Sequence, residues 1–346
     1  MIRLKDIAER AGVSVMTVSK ALRDAPDVSA TTRARVRLLA QQLGYVPDSS
    51  AQGLRTRHTK LLGLVISSLA NPIFSRIVLA IEERAHELGY DLLLAYTMNK
   101  TDREEEAIRR MLSRRVDGLF LSPVYRIASE VRVYQELKQR NTPTVILGHL
   151  APFCSHFVNV ETDDLQAGYQ VTHHLLAQGH RRIAFLAGPP GTPWTQERFE
   201  GYRRALREIG EDVDDRLVFH AGRNLEEGAR AATQMINERT EATAIQSIND
   251  LVAVGCAEVL LRQQIHIPRD LSITGFGNTL ISEYFQVPLT TVGQPKYRLG
   301  VAAVDCMLQL LGGRPTEPKR IPAELVIRAS TGTAPASFPL KRLKKA

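Results

Sequence analysis

RLKDIAERAGVSVMTVSKAL, residues 3–22, is the stretch whose reading decides this chain. Two short helical patterns meet at Gly12-Val13, and Ile7, Ala8, Ala11, Val13, Val18 and Leu22 supply the apolar positions that lock one helix across the other. Ser14, just ahead of the second pattern, is placed to cap it. Val15, Met16, Ser19 and Lys20 then fall on the outer face near the start of the second helix. A helix-turn-helix that reads DNA needs this arrangement, because the first residues of its second helix reach base edges in the major groove. An ordinary helical hairpin satisfies the same twenty residues, so the rest of the chain must choose.

Outward from that stretch, SATTRARVRLLAQQL (29–43) reads as a third helix, capped by Ser29, with Val36, Leu39 and Leu43 inward and Gly44 at its end. An all-α headpiece over residues 1–46 follows. Residues 47–60 break the pattern with Tyr45-Val46-Pro47-Asp48, a short polar, weakly helical stretch bearing one exposed leucine, and a linker. The charge is uneven. Residues 1–60 carry eleven Lys or Arg against five acids, and residues 336–346 carry four Lys or Arg with no acid. The chain totals +8, so the body between these ends holds two more acids than bases. Basic ends on a slightly acidic body point to a polyanion met by the end alone.

From Leu61 the texture changes to short β-type apolar runs alternating with amphipathic helices. Strands are predicted at 61–68, 90–97, 116–123 and 143–149, with helices over 73–88, 102–114 and 128–140. A second cycle places strands at 181–188, 216–222, 242–249 and 271–278, with helices near 164–178, 198–209, 225–239 and 250–264. This alternation predicts two α/β lobes with parallel sheets covered on both faces. Ligands of such sheets sit beyond the carboxyl ends of the strands, which here means between the lobes. Residues 336–346 read as a basic, disordered tail without the leucine heptads a coiled coil needs. Cys154, Cys256 and Cys306 are scattered, with no disulfide framework and no zinc-ribbon spacing. No signal-peptide core and no run of 18 apolar residues occurs, so a cytoplasmic protein with no membrane partner is expected.

The ordered motifs carry a family resemblance. They are the residue 4–22 pattern, V-S-A-T-T-R-A-R-V (28–36), L-G-Y-V-P (43–47), N-P-I-F (71–74), V-D-G-L (116–119), G-H-R-R-I-A (179–184) and R-F-E-G-Y (198–202). N-D-L-V-A-V-G (249–255), P-R-D-L-S-I-T-G-F (268–276), L-T-T-V (289–292) and L-V-I-R-A-S-T (325–331) complete the set. Over residues 3–331 the chain resembles the LacI family of bacterial transcription regulators. The resemblance implies a DNA headpiece, a hinge helix over 47–60, and a two-lobed core over 61–335 like the periplasmic sugar-binding proteins. Lobe one is expected at about 61–160 and 291–320, lobe two at about 161–290 and 321–335, with crossings near 160–163, 290–294 and 319–323. It further implies a repressor bound as a homodimer to a pseudo-palindromic double-stranded operator and controlled by a small carbohydrate-like effector.

Val15, Met16 and Lys20 match the family's base-contacting positions. Lys20 is suited to guanine acceptors, and Val15 and Met16 only to apolar contact such as a thymine methyl. Ser14, Thr17 and Ser19 share that interface, while Arg3, Lys5, Arg23, Arg33 and Arg35 are read as phosphate partners. Leu54 matches the hinge leucine that the family wedges into the minor groove, and Arg55 a basic hinge position. Gly53 weakens the hinge helix, which is expected to fold only on the operator.

For the effector, Arg198 matches the family's ligand-clamping arginine. Trp194 is read as a stacking platform on an exposed Gly/Pro loop. Asn71, Phe74, Ser122, Asn249 and Asp250 follow strand ends, with lobe packing open for Phe74 and a helix cap open for Asp250. Many relatives carry an acid where this chain has Gly277, and some where it has Gly148-His149. With Arg198 retained and His149 nearby, the cleft is expected to be positive and its ligand a sugar acid or phosphorylated sugar. Two rivals are weighed: an exported binding protein, and an enzyme on a Rossmann-like scaffold. G-x-S-x-G, a strand-linked G-x-G-x-x-G, Walker A and H-E-x-x-H are all missing. His173, His174 and His180 lack metal-ligand partners at suitable spacing. Neither catalysis, a cofactor nor a metal is expected.

Overall fold

Helices α1 (Leu4–Ala11), α2 (Val15–Leu22) and α3 (Ala30–Gln42) pack around Ile7, Ala8, Ala11, Val18, Ala21, Val28, Val36 and Ala40. Val13, Leu22, Leu39 and Leu43 cover this core from its rim. Gly12 makes the turn, with φ at 64°, in the left-handed region open to glycine. From there the Val13 N–H reaches back to Ala8 O at 3.2 Å. Ser14 and Ser29 cap α2 and α3, their hydroxyls accepting from Thr17 N and Thr32 N at 3.1 and 3.2 Å. The computed structural model describes residues 2–46 and 58–342. The chain divides into two units, Met1–Thr59 and Lys60–Ala346. Leu54 and Arg55, assigned above to the hinge, lie outside the described residues.

In the second unit, strands β1 (Leu61–Ile66), β2 (Asp91–Tyr96), β3 (Gly118–Leu121), β4 (Thr144–Leu147) and β5 (Val158–Thr162) alternate with α4 (Pro72–Glu87), α5 (Thr101–Ser113) and α6 (Arg132–Gln139). With β11 (Lys319–Ile321) they form a parallel sheet in the order β2-β1-β3-β4-β5-β11. Five of the six residues of β1 are buried, as expected of a parallel strand covered on both faces. The second lobe has β6 (Ile183–Ala187), β7 (Val218–His220), β8 (Ala244–Ser247) and β9 (Ser272–Thr274), all parallel, in the order β7-β6-β8-β9. Helices α7 (Asp164–Ala177), α8 (Pro193–Glu208), α9 (Leu225–Asn237) and α10 (Asp250–Arg262) flank it. A short helix α11 (Leu280–Tyr284) precedes β10 (Thr291–Gly293), which pairs antiparallel with β12 (Glu324–Val326). Helix α12 (Lys296–Leu311) returns the chain to the first lobe, burying Leu299, Ala303 and Met307 there. Among the described residues no helix is long and apolar enough to cross a membrane.

Three local readings change. The helix expected over 128–140 spans only Arg132–Gln139, after a loop that carries Arg126. The helix expected from 198 starts five residues earlier. Pro193 is its first residue, where a missing N–H is harmless and the ring's fixed φ helps. Trp194 is therefore half-buried in the first turn of α8 against the second lobe's core, not on an exposed loop. The expected disordered tail also carries structure, since Leu340 is fully buried in that same core. Charge dominates the composition of the tail and masks its one anchoring leucine.

Candidate functional site

On the headpiece, Val15 and Met16 are 44% and 69% exposed at the start of α2. Met16 has no place in the core, which leaves its side chain free to meet a base edge. The Ser14 and Thr17 hydroxyls lie 2.9 Å apart and are engaged in capping. Lys20, one turn on, forms an ion pair with Asp27, and its hydrogen bond holds the Asp27 carboxyl below its ordinary value. Arg23 donates from Nε to Ser19 O at 2.8 Å, and Lys5 is exposed, 4.0 Å from Glu9. Arg33, read as a phosphate partner, has a different task. Its Nη2 donates to Ala25 O and Val28 O at 3.1 and 3.0 Å, tying down the loop between α2 and α3.

In the second unit, two glycines decide where the charges meet. A Cβ on Gly168 would lie 2.6 Å from Arg198 O, and one on Gly201 2.3 Å from Leu165 O, so α7 and α8 touch backbone to backbone. This contact brings Asp164, the first residue of α7, against Arg198. The guanidinium donates from Nε to Asp164 Oδ1 at 3.0 Å and from Nη1 to Ile248 O at 2.6 Å, and its Nη2 lies 2.9 Å from Asp164 Oδ1. It lies 3.5 Å from the Phe276 ring centroid and 5.0 Å from that of Trp194. Arg198 is only 5% exposed. Burial pushes Asp164 up and Arg198 down from their ordinary values, and their mutual attraction opposes both shifts.

His149, just after β4, joins this group. Its Nε2 lies 3.0 Å from Glu197 Oε2, 3.5 Å from Asp164 Oδ2 and 3.9 Å from Glu161 Oε2. Arg320 bonds Glu197 and lies 3.1 Å from Glu161 Oε1. Burial opposes protonation of His149, but the Glu197 hydrogen bond and the three carboxylate charges outweigh it and raise the imidazole. The expected positive cleft is therefore overturned. The acid missing from the 148–149 position is supplied in space by Glu161, Asp164 and Glu197. Beside the Gly277 position stands the buried carboxylate of Asp250. Gly277 sits at φ 134°, and a Cβ there would stand 3.3 Å from Asp250 Oδ2.

The remaining sequence-predicted residues carry structural duties. Asn249, not Asp250, caps α10: its Oδ1 accepts from Val252 N at 2.8 Å and its Nδ2 donates to Arg223 O at 3.1 Å. Asp250 is buried, accepting from Thr279 N, Thr279 Oγ1 and Thr291 Oγ1 at 2.8, 2.9 and 2.5 Å. Lys296 donates to the carbonyls of Gly277 and Asn278. Asn71 caps α4 through Ile73 N at 3.2 Å, and Phe74 packs on the first lobe's core. Ser122 follows β3 directly. Among the described residues no hydrogen bond links Asn71, Phe74 or Ser122 to the His149–Arg198 group. Glu161, Asp164, Glu197 and Arg320 escaped the sequence reading, although Glu161-Thr162-Asp163-Asp164 stands at an expected lobe crossing. His180 is a packing residue, its ring nitrogens 2.9 Å from Thr243 Oγ1 and 3.0 Å from Gly332 O.

A helical headpiece with an exposed reading edge, on a chain whose body is two parallel α/β lobes, defines a DNA-binding regulator. The comparisons agree. Residues 3–48 match the model of bacterial regulatory proteins of the lacI family, and residues 172–331 that of the periplasmic binding protein-like domain. The transcriptional regulator DegA of Bacillus subtilis (strain 168) is 31% identical over 333 residues, covering 94% of this chain and 97% of that protein. A solved Lac repressor dimer, bound to operator and the anti-inducer ONPF, aligns with a TM-score of 0.85 at 28% identity, over 96% of this chain and 99% of that one. The regulator CelR in complex with cellobiose aligns with a TM-score of 0.73 at 28% identity, over 95% and 100%. The chain belongs to the LacI family and is a DNA-binding transcriptional repressor.

Proposed function

We propose that this repressor grips a pseudo-palindromic operator as a symmetric homodimer, and that a small neutral polyhydroxylated ligand between the lobes sets the strength of the grip. The observation that carries the first part is the Val15–Met16 edge, exposed beside Lys20 on a firmly capped α2. Val15 and Met16 supply apolar contact, Lys20 a guanine donor, and Lys5, Arg23 and the hinge pair Leu54 and Arg55 the backbone and minor-groove contacts. One headpiece covers too little surface for tight specific binding, so two half-sites are required. The Lac repressor dimer on its operator supports this assembly.

For the ligand, the Arg198 guanidinium, framed by the rings of Trp194 and Phe276, suits vicinal hydroxyls. The Asp164 carboxylate is a natural acceptor for further hydroxyls and repels a ligand acid. The CelR–cellobiose complex favours the sugar class. A ligand acts here only through its different affinity for DNA-competent and DNA-incompetent arrangements of the lobes.

The test is selection of duplexes from a random pool, followed by anisotropy titrations against bulk genomic competitor at several salt concentrations. Metabolite hits come from Trp194 fluorescence. A selected palindrome whose affinity falls steeply with salt and shifts with a neutral sugar is expected. No preference for any duplex, with or without metabolites, overturns the reading.

A further inference from the structure

Around the His149 imidazole the charges do not balance. Glu161, Asp164 and Glu197 bring three carboxylates within 3.9 Å of its Nε2, faced by the guanidinium groups of Arg198 and Arg320, so that with a neutral imidazole one negative charge is left over. His149 and Asp164 are each at most 5% exposed, so water screens little of the excess. The donor atoms are also close together. One atom each of His149, Glu161 and Glu197 lie mutually within 4.8 Å. From His149 Nε2 the carboxylate oxygens of Glu197, Asp164 and Glu161 stand at 3.0, 3.5 and 3.9 Å. An ion held tetrahedrally with bonds of about 2.0–2.2 Å spaces its donors roughly 3.3–3.6 Å apart, in the middle of that range.

We propose that His149, Glu161 and Glu197 bind a divalent first-row metal ion, with Zn2+ the best match and a water oxygen completing its shell, and that the ion bridges the two lobes. His149 and Glu161 come from the first lobe and Glu197 from α8 of the second. One imidazole with carboxylate oxygens is a borderline donor set that suits Zn2+ better than the harder Mg2+ or Ca2+. Outer contacts orient the donors. Asn159 Nδ2 donates to Glu161 at 2.8 Å, Arg320 bonds Glu197, and the Tyr125 hydroxyl donates to His149 O at 2.8 Å.

The experiment uses the full chain, stripped with chelator and titrated with ZnCl2 by calorimetry, with Co2+ absorption as a second readout. One ion per chain is expected, with affinity lowered at least tenfold in His149→Ala and in the isosteric Glu161→Gln. His173→Ala should bind like the wild type. Circular dichroism checks that each variant folds, and Glu161→Gln keeps the test decisive if His149→Ala does not. Absence of binding, equal binding by all variants, or a cobalt–thiolate band overturns the site. Cys154 and Cys256 are buried, with thiols pushed up to about 11 and about 12, so they offer no competing thiolate. Neither DNA nor effector enters the assay, so its failure leaves the operator reading intact.

Discussion

Asp164→Asn, in the presence of chelator, tests the charge pair on which the inter-lobe site is built. The substitution keeps the shape and one acceptor oxygen but removes the charge facing the buried Arg198 guanidinium, 2.9 Å away. Two unit charges about 4 Å apart attract by about 4 kcal/mol at an effective dielectric of about 20. Breaking a buried pair from one side typically costs about 3–5 kcal/mol, because the remaining charge stays desolvated. Arg198 keeps its bond to Ile248 O and the Phe276 face, so the low end of that range, about 3 kcal/mol, is expected. That raises the unfolded fraction by roughly two powers of ten and lowers the melting midpoint of the second lobe by about 6–12 °C. Trp194 is the only tryptophan, and its ring lies 5.0 Å from the guanidinium, so urea melts followed by its fluorescence read this lobe alone. Replacing both partners by apolar residues, Asp164→Leu with Arg198→Met, should cost less than Asp164→Asn by itself. A single variant within about 0.5 kcal/mol of the wild type, or a double variant that loses the sum of the two singles, refutes the reasoning.

Leu340→Ala should destabilise the second lobe by about 2–5 kcal/mol in the same urea melt, since Leu340 is fully buried; a silent substitution would mean that the terminal segment adds nothing to this core. Asp27→Asn should tighten operator binding by up to about fivefold in a low-salt anisotropy titration, because Asp27 competes with DNA for Lys20, and an unchanged or weaker affinity contradicts that competition. Arg33→Ala should lower the headpiece melting temperature, whereas Lys5→Ala should leave it alone and flatten the salt slope of DNA binding by about one unit; the opposite pattern would return Arg33 to the phosphate contacts. Glu104 is buried, and its burial raises the carboxyl above its ordinary value despite Arg126, Tyr134 and Val124 N. The folded chain therefore holds this proton more tightly than the unfolded one. The stability it contributes is present below the ordinary carboxylate value and is lost as pH rises through the raised one. The stability of Glu104→Gln relative to wild type should accordingly increase with pH across that interval in circular-dichroism melts, and parallel curves would contradict this.

What was legible in the sequence is what short-range chemistry fixes. The headpiece follows from spacing within twenty residues: a glycine that tolerates left-handed backbone at 12, a serine cap at 14, and apolar positions that meet across the turn. The parallel strands were legible because burial on both faces writes continuous apolar runs, as in β1 and β6. The errors share a cause. Pro193 carries the signature of a breaker and of a first helical residue alike, and only the packing of Trp194 against the core separates the two. Gly148 and Gly277 were read as missing acids because a sequence shows what a position lacks, not what a distant position supplies.

That last error explains why the site itself was hidden. Asp164 meets Arg198 across 34 residues, and Glu197 meets His149 across 48. Each pairing exists because two glycines let α7 and α8 touch, and because β4 and α8 present their ends to one another. Neither condition leaves a local pattern. The pairing also assigns the charges a task that a positive cleft could not perform. His149 and Glu161 belong to one lobe and Asp164 and Glu197 to the other, while Arg320, in the middle of β11, bonds acids of both. Any cation entering this cluster, proton or metal, favours the arrangement in which the two lobes share it, and any movement that parts the lobes must separate buried charges. The angle between the lobes is therefore tied to charge balance at one point, which is where a ligand of a few atoms has the most leverage over it.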